Sequence, residues 1–350
     1  MAPIRVFITG ATGYIGSTTF ALLLKQESTA SKYSFRVLAR SQEKAEKNIP
    51  PTRTNPVIEP VIGSLDDTDI LRREAANADV VIHFADADHY PAIKAILDGL
   101  QDESRSKEGR QRPILIHTSG TGVLLDNAYG KPSDVIYHDN DIDHLNSLAP
   151  EQIHRNVDLE VLSSELVGKV DTYIVSPPTI WGFGTGYGNR NSIQIPHYVK
   201  YSLKHGQALQ IGQGLNKWSK VHVEDLARFY ILLLERSLQE PQDGTGKLPK
   251  NSDAYYFVQE GDDFTYGSVG EQIAQAFKEL GINQSGTVLA TTPEDEEKYW
   301  TKGSGFLLGG NSRSRAIKAV KVLGWEPQLK DFNGYIHQEV KRQHDLLKEH

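Results

Sequence analysis

The sequence predicts an α/β protein in which a doubly wound parallel sheet is followed by a smaller C-terminal α/β lobe. Three observations support this fold class. An apolar strand at Ile4–Ile8 runs directly into a glycine triad and a helix. Strand-like and helix-like segments then alternate through the first half of the 350 residues. The strand-like segments are almost continuously apolar, as in a parallel sheet that helices cover on both faces.

The predicted elements follow this order along the chain. The strands of the first half are Ile4–Ile8, Phe35–Leu38, Val57–Ile62, Val80–Phe84, Ile114–Ile116 and Tyr173–Val175. The helices between them are Ile15–Lys25, Ser41–Asn48, Asp66–Asn77, Asp88–Ser104 and Pro150–Val167. This succession predicts a Rossmann domain over residues 1–180. Residues 181–350 contain an apolar helix (Val223–Leu238), a late strand (Ala254–Val258) and three more helical segments. We expect them to form a substrate lobe interleaved with the sheet in one compact unit.

Composition narrows the function classes. The chain has no cysteine, which excludes disulfides, thiolate catalysis and cysteine-ligated metals, and we predict no metal site. A net charge of −7 argues against a nucleic-acid partner. No apolar run is long enough to span a bilayer, and the N-terminus does not resemble a signal sequence. We therefore expect a cytoplasmic protein that acts on a small molecule.

The glycine triad predicts a ligand class. Gly10 permits a tight turn out of the first strand, Gly13 lets the backbone approach a pyrophosphate, and Gly16 lets the next helix pack closely on the sheet. The free N–H groups at the start of that helix then face the phosphates. The triad therefore predicts dinucleotide binding.

Six segments, in the expected order, carry a family resemblance. They are Thr9–Gly16, Asp79–Ala85, Ile114–Gly120, Ser176–Gly182, Lys220–Ala227 and Asn311–Pro327. Together they resemble the extended, epimerase-like branch of the short-chain dehydrogenase/reductase superfamily. The resemblance implies a homodimer and an active-site serine at Ser119. With the triad, it implies a dinucleotide site at Gly10, Thr12, Gly13, Tyr14, Ile15, Leu65, Phe84, Ala85, Ser119 and Pro177.

The end of the second strand favours NADP over NAD. An acidic residue there would bind the ribose 2′-hydroxyl of NAD, but the strand ends in Ala39-Arg40-Ser41. Arg40 offers a planar fork suited to a 2′-phosphate, and Lys44 follows closely. The alternative is that Arg40 packs over the adenine ring, which would leave NAD as the cofactor.

The catalytic residues depart from the family pattern. The family reduces carbonyls with a Ser, a Tyr and a Lys, the last two four residues apart on one helix. Ser119 is present, but no Tyr-x-x-x-Lys follows it. The best registration puts His154 at the Tyr position and Asp158 at the Lys position. Because a carboxylate stabilises imidazolium, this pair predicts a protonated His154 that donates to a carbonyl oxygen. The alternative is a helix-surface ion pair, in which Arg155 could also engage Asp158.

Another candidate proton donor lies in the long segment Leu124–Leu148, which could fold over the nicotinamide as a lid. Tyr137 is the residue of this segment that we assign as a candidate donor. Its phenol would then take the place of the missing family tyrosine.

The candidate substrate residues are Trp181, Phe183 and Tyr187, which lie in or beside the glycine-rich stretch 182–191. Aromatic side chains on such a loop suit an aromatic small molecule. The alternative is a surface loop with two anchoring rings. Three arginines could instead hold a phosphate or a carboxylate: Arg190, Arg313 and Arg315.

Three functions remain open at this point. The first is an NADPH-dependent reductase of a small carbonyl compound with a non-standard proton donor. The second is a non-catalytic NADP(H) sensor or scaffold, which the missing Tyr and Lys favour. The third is an epimerase, isomerase or lyase that works by transient oxidation.

Overall fold

The structure is a computed structural model that describes residues 2–50, 56–104, 111–239 and 248–349. The strands are β1 (Ile4–Thr9), β2 (Tyr33–Ala39), β3 (Ile58–Ile62), β4 (Val80–His83), β5 (Ile114–Thr118), β6 (Tyr137–His138), β7 (Asp171–Ser176), β8 (Thr179–Trp181), β9 (Ala208–Ile211), β10 (Lys217–His222), β11 (Tyr255–Phe257), β12 (Glu260–Thr265), β13 (Val288–Thr291) and β14 (Ser314–Arg315). The first-half strands lie where their apolar runs predict them.

The helices of the described residues are α1 (Tyr14–Lys25), α2 (Thr29–Lys32), α3 (Gln42–Asn48), α4 (Thr68–Asn77), α5 (Tyr90–Leu100), α6 (Ile142–Asn146), α7 (Arg155–Val161), α8 (Gln194–His205), α9 (Val223–Leu238), α10 (Tyr266–Glu279), α11 (Glu296–Tyr299), α12 (Ser304–Gly309), α13 (Ile317–Lys321) and α14 (Phe332–Lys348). Short 3₁₀ turns lie at Thr121–Leu124, Ser164–Leu166, Asn251–Asp253 and Pro293–Asp295. No helix among the described residues combines the length and the apolar character needed to cross a membrane.

The main sheet confirms the predicted fold class. Seven strands pair in the order β3-β2-β1-β4-β5-β7-β11, and every pairing is parallel. The strand order reverses between β1 and β4, so a crevice opens there at the carboxyl ends of the strands. This is the architecture of a Rossmann sheet, and it places the ends of β1, β2, β4 and β5 around one crevice.

The pairing register places polar side chains in one row across the sheet. Thr9 of β1 lies beside His83 of β4, and His83 lies beside His117 of β5. Ile174 of β7 continues the row to Tyr255 of β11. Neighbouring residues in register point to the same face of a sheet, so these five side chains share one face.

The second half adds small sheets and a second apolar core. Strands β8, β10 and β12 form one sheet, β9 and β13 a second, and β6 and β14 a third. Large aromatic side chains dominate the core around them, among them Trp181, Tyr198, Tyr266, Trp300 and Phe332. One strand of the second half, β11, joins the main sheet beside β7, so the two halves share a sheet.

The helix predicted over Pro150–Val167 is shorter than its pattern suggests. Helix α7 begins only at Arg155, because His154 before it has a left-handed backbone with φ of 69°. Residues 150–154 form turns instead, with Gln152 N–H donating to the Ala149 carbonyl. The difference matters because it changes the direction of the His154 side chain.

Candidate functional site

Two adjoining cavities occupy the crevice at the carboxyl ends of the strands. The first has a volume of about 680 Å³ and the second about 800 Å³. Gly13, Phe84 and Asn189 line both, so the two cavities form one continuous site. Each lies within the size range of small-molecule sites.

The first cavity is lined by the ends of β1, β2, β3 and β4 and the residues after them. It contains seven of the predicted dinucleotide residues: Gly10, Thr12, Gly13, Arg40, Leu65, Phe84 and Ala85. Arg40 is exposed at the end of β2. Lys44 is the exception: it is exposed on α3 and does not line the cavity, so the structure does not support its predicted phosphate contact.

The glycine turn has the geometry that a pyrophosphate requires. Gly10 has a φ of 73°, and a Cβ there would lie 2.6 Å from the backbone nitrogen of Ala85. Helix α1 begins after Gly13 with no side-chain cap on its first N–H groups. These donors, at the positive end of the helix dipole, are the groups that phosphates bind. The residues of this turn therefore fit the diphosphate of a dinucleotide.

The glycine-rich stretch 182–191 lies against this turn. Asn189 N–H donates to the Thr12 carbonyl at 2.9 Å, and the Tyr14 hydroxyl donates to the Gly182 carbonyl at 2.6 Å. A Cβ at Gly184 would lie 2.8 Å from Thr18 Oγ1. The stretch is therefore fastened to α1, with Asn189 at the junction of the two cavities.

The second cavity continues toward the predicted catalytic residues. Its apolar lining includes Leu125, Ile153, Ile180, Trp218 and Leu307. The predicted dinucleotide residues in it are Gly13, Tyr14, Ile15, Phe84, Ser119 and Pro177. Its charged or titratable lining residues other than Tyr14 are Asp88 and His154. The cavity is thus mostly apolar, with Ser119 and an imidazole–carboxylate pair at its catalytic end.

His154 is paired with a carboxylate, but not with the predicted one. Its Nδ1 lies 2.8 Å from Oδ1 of Asp88, which follows β4. Its Nε2 faces the turn after β5, where a Cβ at Gly120 or Gly122 would come within 3.1 Å of it. The left-handed backbone at His154 directs the ring away from the face of α7, so the predicted His154–Asp158 pair is wrong. The Asp88 bond fixes one ring nitrogen and leaves Nε2 toward the cavity.

Asp158 lies in a buried network instead. Its side chain is fully buried, and its Oδ2 accepts hydrogen bonds from Ser119 Oγ at 3.0 Å and the Tyr255 hydroxyl at 2.7 Å. Arg155, also buried, donates to the Tyr255 hydroxyl at 2.9 Å. Burial raises the pKa of Asp158 to about 6, against the lowering effect of the two hydroxyl donors. The surface ion pair of the alternative reading is therefore also wrong, since both Arg155 and Asp158 are in the interior.

Two neutral histidines lie behind this network. The rings of His83 and His117 stack with centroids 5.3 Å apart, and Thr9 Oγ1 lies 2.6 Å from His83 Nδ1. Burial lowers the pKa of His83 to about 4 and holds the pKa of His117 well below its usual value. His117 Nε2, 3.9 Å from Asp158 Oδ1, is therefore neutral near pH 7, and the two do not form an ion pair.

Tyr137, the other predicted proton donor, lines neither of the two cavities. It belongs to β6, which pairs with β14, and its ring stacks on His144 with centroids 4.4 Å apart. Asp139, nearby, accepts the backbone N–H groups of Phe257 and Ile317. These contacts attach residues 137–139 to the C-terminal half, whereas Leu125 of the same segment lines the second cavity.

The three predicted substrate aromatics do not line either cavity. Trp181 is 4% exposed and donates its indole N–H to Glu260 at 2.9 Å. Phe183 packs on Tyr335 with centroids 5.2 Å apart. Tyr187 is 51% exposed on the surface. Alternation along β8 turns Trp181 into the second core, while Ile180 beside it faces the cavity, so these assignments are corrected.

The three candidate arginines are also engaged elsewhere. Arg313 and Arg315 both bind Asp263, at 2.7 and 2.9 Å. Arg190 donates to the Gly186 carbonyl at 3.1 Å. None of the three lines the second cavity, which therefore lacks an arginine or a lysine.

Sequence reasoning missed several residues of the site. Asp88 lies just after the carboxyl end of β4, and the rule that ligands bind beyond the carboxyl ends of parallel strands could have identified it. Tyr255 and His117 join the network only through strand pairing, which spacing does not reveal. The substrate residues predicted in and beside the stretch 182–191 are its aromatic residues, and they do not include Asn189.

Comparisons with known proteins agree with this geometry. Residues 6–98 match the model of the NAD dependent epimerase/dehydratase family. Oxidase ucsJ of Acremonium sp is 29% identical to this chain, with 92% of each chain covered. An uncharacterized protein of Schizosaccharomyces pombe is 28% identical over 92% of this chain and 95% of its own.

Two solved structures share the fold. UDP-glucose 4-epimerase of Thermotoga maritima, solved with UDP-glucose, has a TM-score of 0.62 and 16% identity, covering 98% of this chain and 100% of its own. The dTDP-glucose 4,6-dehydratase of Bacillus anthracis, solved with NAD, has a TM-score of 0.64 and 17% identity, with coverages of 98% and 97%. The family model thus matches the N-terminal part of the chain, and the whole chain shares the fold of these two enzymes, while no Tyr-x-x-x-Lys follows Ser119.

Proposed function

We propose that this protein is an oxidoreductase that reduces a small, mainly apolar carbonyl compound with NADPH. The observation that carries the proposal is His154, held by Asp88 at the catalytic end of the second cavity, beside Ser119. An imidazole oriented by a carboxylate is a common general acid near neutral pH. By the sequence registration, His154 takes the position at which the resembled family has its proton-donating tyrosine.

The first cavity supports a nicotinamide dinucleotide, which the family match and the NAD-bound fold relatives also favour. The turn at Gly10–Gly13 would hold the diphosphate, and Ser119 and Pro177 would border the nicotinamide. Arg40 at the end of β2 favours the 2′-phosphate of NADPH, because β2 ends in Ala39-Arg40-Ser41 and not in an acidic residue, although Asp66 and Asp86 line the cavity from other strand ends. When bound, the dinucleotide would supply the hydride.

The chain's own residues would position the substrate and move the proton. His154 would donate the proton from Nε2 to the carbonyl oxygen, while Asp88 holds Nδ1 and orients the ring. Ser119 would contact the same oxygen from the end of β5. The mainly apolar walls would favour an apolar substrate, and Thr121, Asn189, Ser192 and Gln194 are the further polar lining residues.

The cavity lining also separates this proposal from sugar-nucleotide epimerisation. A nucleoside diphosphate-sugar carries two phosphates, which proteins usually bind with arginine, lysine or helix N-termini. The second cavity has no arginine or lysine among its lining residues, and Arg313 and Arg315 both bind Asp263. A neutral, apolar substrate is the better match. The 29% identity to a protein named an oxidase is consistent with redox chemistry.

The test is a binding and turnover assay on the purified protein. NADPH and NADH affinities are measured by calorimetry. NADPH absorbance is then followed with benzaldehyde, acetophenone and cyclohexanone, and with UDP-glucose as the contrast. We expect tighter binding of NADPH than NADH, and consumption of NADPH with a carbonyl but not with UDP-glucose.

Each other outcome has a definite meaning. NADPH binding with no reduction of any carbonyl would contradict the enzyme proposal and favour a dinucleotide sensor, the function that the missing Tyr and Lys suggest. Failure to bind either dinucleotide would overturn the assignment of the first cavity.

A further inference from the structure

The Asp158 side chain is fully buried, yet a single hydrogen bond, from Ser119, connects it to the lining of the second cavity. Its Oδ2 accepts from Ser119 Oγ, and Ser119 itself lines the second cavity. Its Oδ1 accepts no hydrogen bond from any described residue. A buried carboxyl oxygen without a donor favours the protonated form of the acid.

The groups that face Asp158 come from several elements. Ser119 and His117 belong to β5 and the turn after it, Tyr255 to β11, and Arg155 and His154 to α7 and its N-terminal cap. Behind them lie His83 next to His117, Asp88 on His154, and Lys318, which donates to the Tyr255 carbonyl. The two buried imidazoles are neutral near pH 7, so Arg155 is the permanent cation of the network, and Tyr255 bridges it to Asp158.

A serine hydroxyl has one proton, so its two hydrogen-bonding directions are coupled. While Asp158 is ionised, the Ser119 proton points to Oδ2, and only oxygen lone pairs are left for the cavity. When Asp158 is protonated, the acid can donate to Ser119 Oγ, and the Ser119 proton is free to point into the cavity.

We propose that Asp158 sets the direction of the Ser119 hydroxyl and thereby decides which redox form of the substrate the second cavity binds. Ionised Asp158 makes Ser119 an acceptor, which fits an alcohol donor. Protonated Asp158 makes Ser119 a donor, which fits a carbonyl oxygen. The inference rests on the proposed function, and it makes Asp158 a positioning residue that acts through Ser119.

The consequence is a pH dependence of substrate preference. Burial raises the pKa of Asp158 to about 6, so its ionisation falls close to neutral pH. As the pH rises through this value, the alcohol form gains affinity relative to the carbonyl form. Because one form of the substrate gains a hydrogen bond with Ser119 while the other loses one, we expect a change of about 10-fold in the affinity ratio.

The first experiment needs no substrate. Infrared spectra of the protein are recorded between about pH 5 and about pH 8, and the carboxylic acid band missing from Asp158→Asn identifies Asp158. We expect Ser119→Ala to raise the midpoint of this band, because a donor to the ionised form is lost. Glu260→Gln is the matched control: Glu260 is also buried with a raised pKa, but it binds Trp181 and not Ser119. An unchanged midpoint in Ser119→Ala would overturn the proposal.

The second experiment measures the preference itself by calorimetry. Acetophenone is titrated into the NADP⁺ complex and 1-phenylethanol into the NADPH complex, so that neither pair can react. The ratio of the two affinities should change with pH in the wild type and Glu260→Gln, and stay flat in Asp158→Asn. A flat wild-type ratio would refute the proposal. If neither probe binds and no carbonyl is reduced, the proposed function fails, while the infrared result still decides whether Asp158 controls Ser119.

Discussion

The first and second cavities meet at Gly13, Phe84 and Asn189, but they are built differently. The first is lined by residues at and just after the ends of β1, β2, β3 and β4. The second is lined by residues of α1, β8, α8, β10 and α12 and of the turns after β5 and before α7, which are far apart in the chain. The comparison shows why a dinucleotide site can be read from a short motif, whereas a substrate site depends on the packing of the whole chain.

The largest effect should come from the first cavity, where backbone shape is the constraint. Gly10→Ala places a Cβ 2.6 Å from the Ala85 nitrogen on a backbone with φ of 73°. We expect loss of dinucleotide binding and destabilisation by about 3 kcal/mol, measured by calorimetry and chemical unfolding. Gly168→Ala is the control: Gly168 has a φ of 81° but no neighbour within 4 Å of the added Cβ. It should cost about 1 kcal/mol and leave binding intact. Equal effects of the two would mean that the close approach at Gly10 is unimportant.

In the second cavity a single side chain should dominate. His154→Ala should lower turnover about 100-fold, because a general acid contributes roughly that much, and leave NADPH affinity unchanged. Asp88→Asn should have a smaller effect of the same kind, about 10-fold, since it orients the ring without touching the substrate. His337→Ala is the control, because His337 also lies beside a carboxylate, Glu279, but far from the cavity. Unaltered turnover in His154→Ala would remove His154 from the mechanism.

The buried Asp158 carboxylate, which lies behind Ser119 of the second cavity, should make the free energy of unfolding depend on pH. Folding raises the pKa of Asp158 from 3.8 to about 6, so its stabilising contribution is complete below pH 3.8 and is lost as the pH rises through 6. That shift corresponds to about 3 kcal/mol at pH 8, so Asp158→Asn should be more stable there by about 2 kcal/mol after its weaker hydrogen bonds are subtracted.

Asp139 supplies the contrast for this measurement. Its pKa is also raised to about 6, but it accepts three backbone N–H groups, from Phe257, Ile317 and Lys318. Asp139→Asn should therefore lose stability in the same urea-unfolding assay. If Asp158→Asn also loses stability at pH 8, Asp158 stabilises the fold. It would then not be a carboxylate that destabilises the fold and is kept for its function.

The first cavity also contains a side chain whose effect should be selective. Arg40→Ala should weaken NADPH binding about 10-fold and leave NADH binding nearly unchanged, because only NADPH has the 2′-phosphate. Lys44→Ala, a change of similar charge outside the cavity, should alter neither affinity. A parallel loss for both dinucleotides would indicate that Arg40 packs on the adenine ring.

The smallest effect tests the corrected substrate residues. Tyr187→Ala removes an exposed ring and should change stability by less than about 0.5 kcal/mol and turnover not at all. Trp181→Phe removes the hydrogen bond to Glu260 and should cost about 1 kcal/mol of stability without changing the affinity for a carbonyl. A changed KM in either variant would restore the aromatic loop as part of the substrate site.

Much of the fold followed from the sequence because its signals are local. The apolar strands, the Gly10 turn and helix α9 at Val223–Leu238 each depend on residues close together in the chain. The domain boundary at residue 180, the homodimer and the cytoplasmic location stay predictions.

The catalytic end was harder to predict, and the reason is physical. The spacing of His154 and Asp158 implies a shared helix face only if both residues are helical, and one left-handed residue at 154 breaks that condition. The true partner, Asp88, is 66 residues away, and Tyr255 is 97 residues from Asp158. Such pairs are made by strand order and packing, which single-residue patterns do not encode.

The buried hydrogen-bond network of Asp158 also constrains which substitutions the protein can accept. Replacing Asp158 alone by an apolar residue would leave the Ser119 and Tyr255 hydroxyls without their shared acceptor, and would leave the buried Arg155, which donates to Tyr255, without a nearby carboxylate. Replacing Arg155 alone would leave a buried negative charge with no permanent cation beside it. Lineages are therefore expected to exchange positions 155, 158 and 255 together or keep all three, so a relative with an apolar residue at one of them should have lost the other two as well.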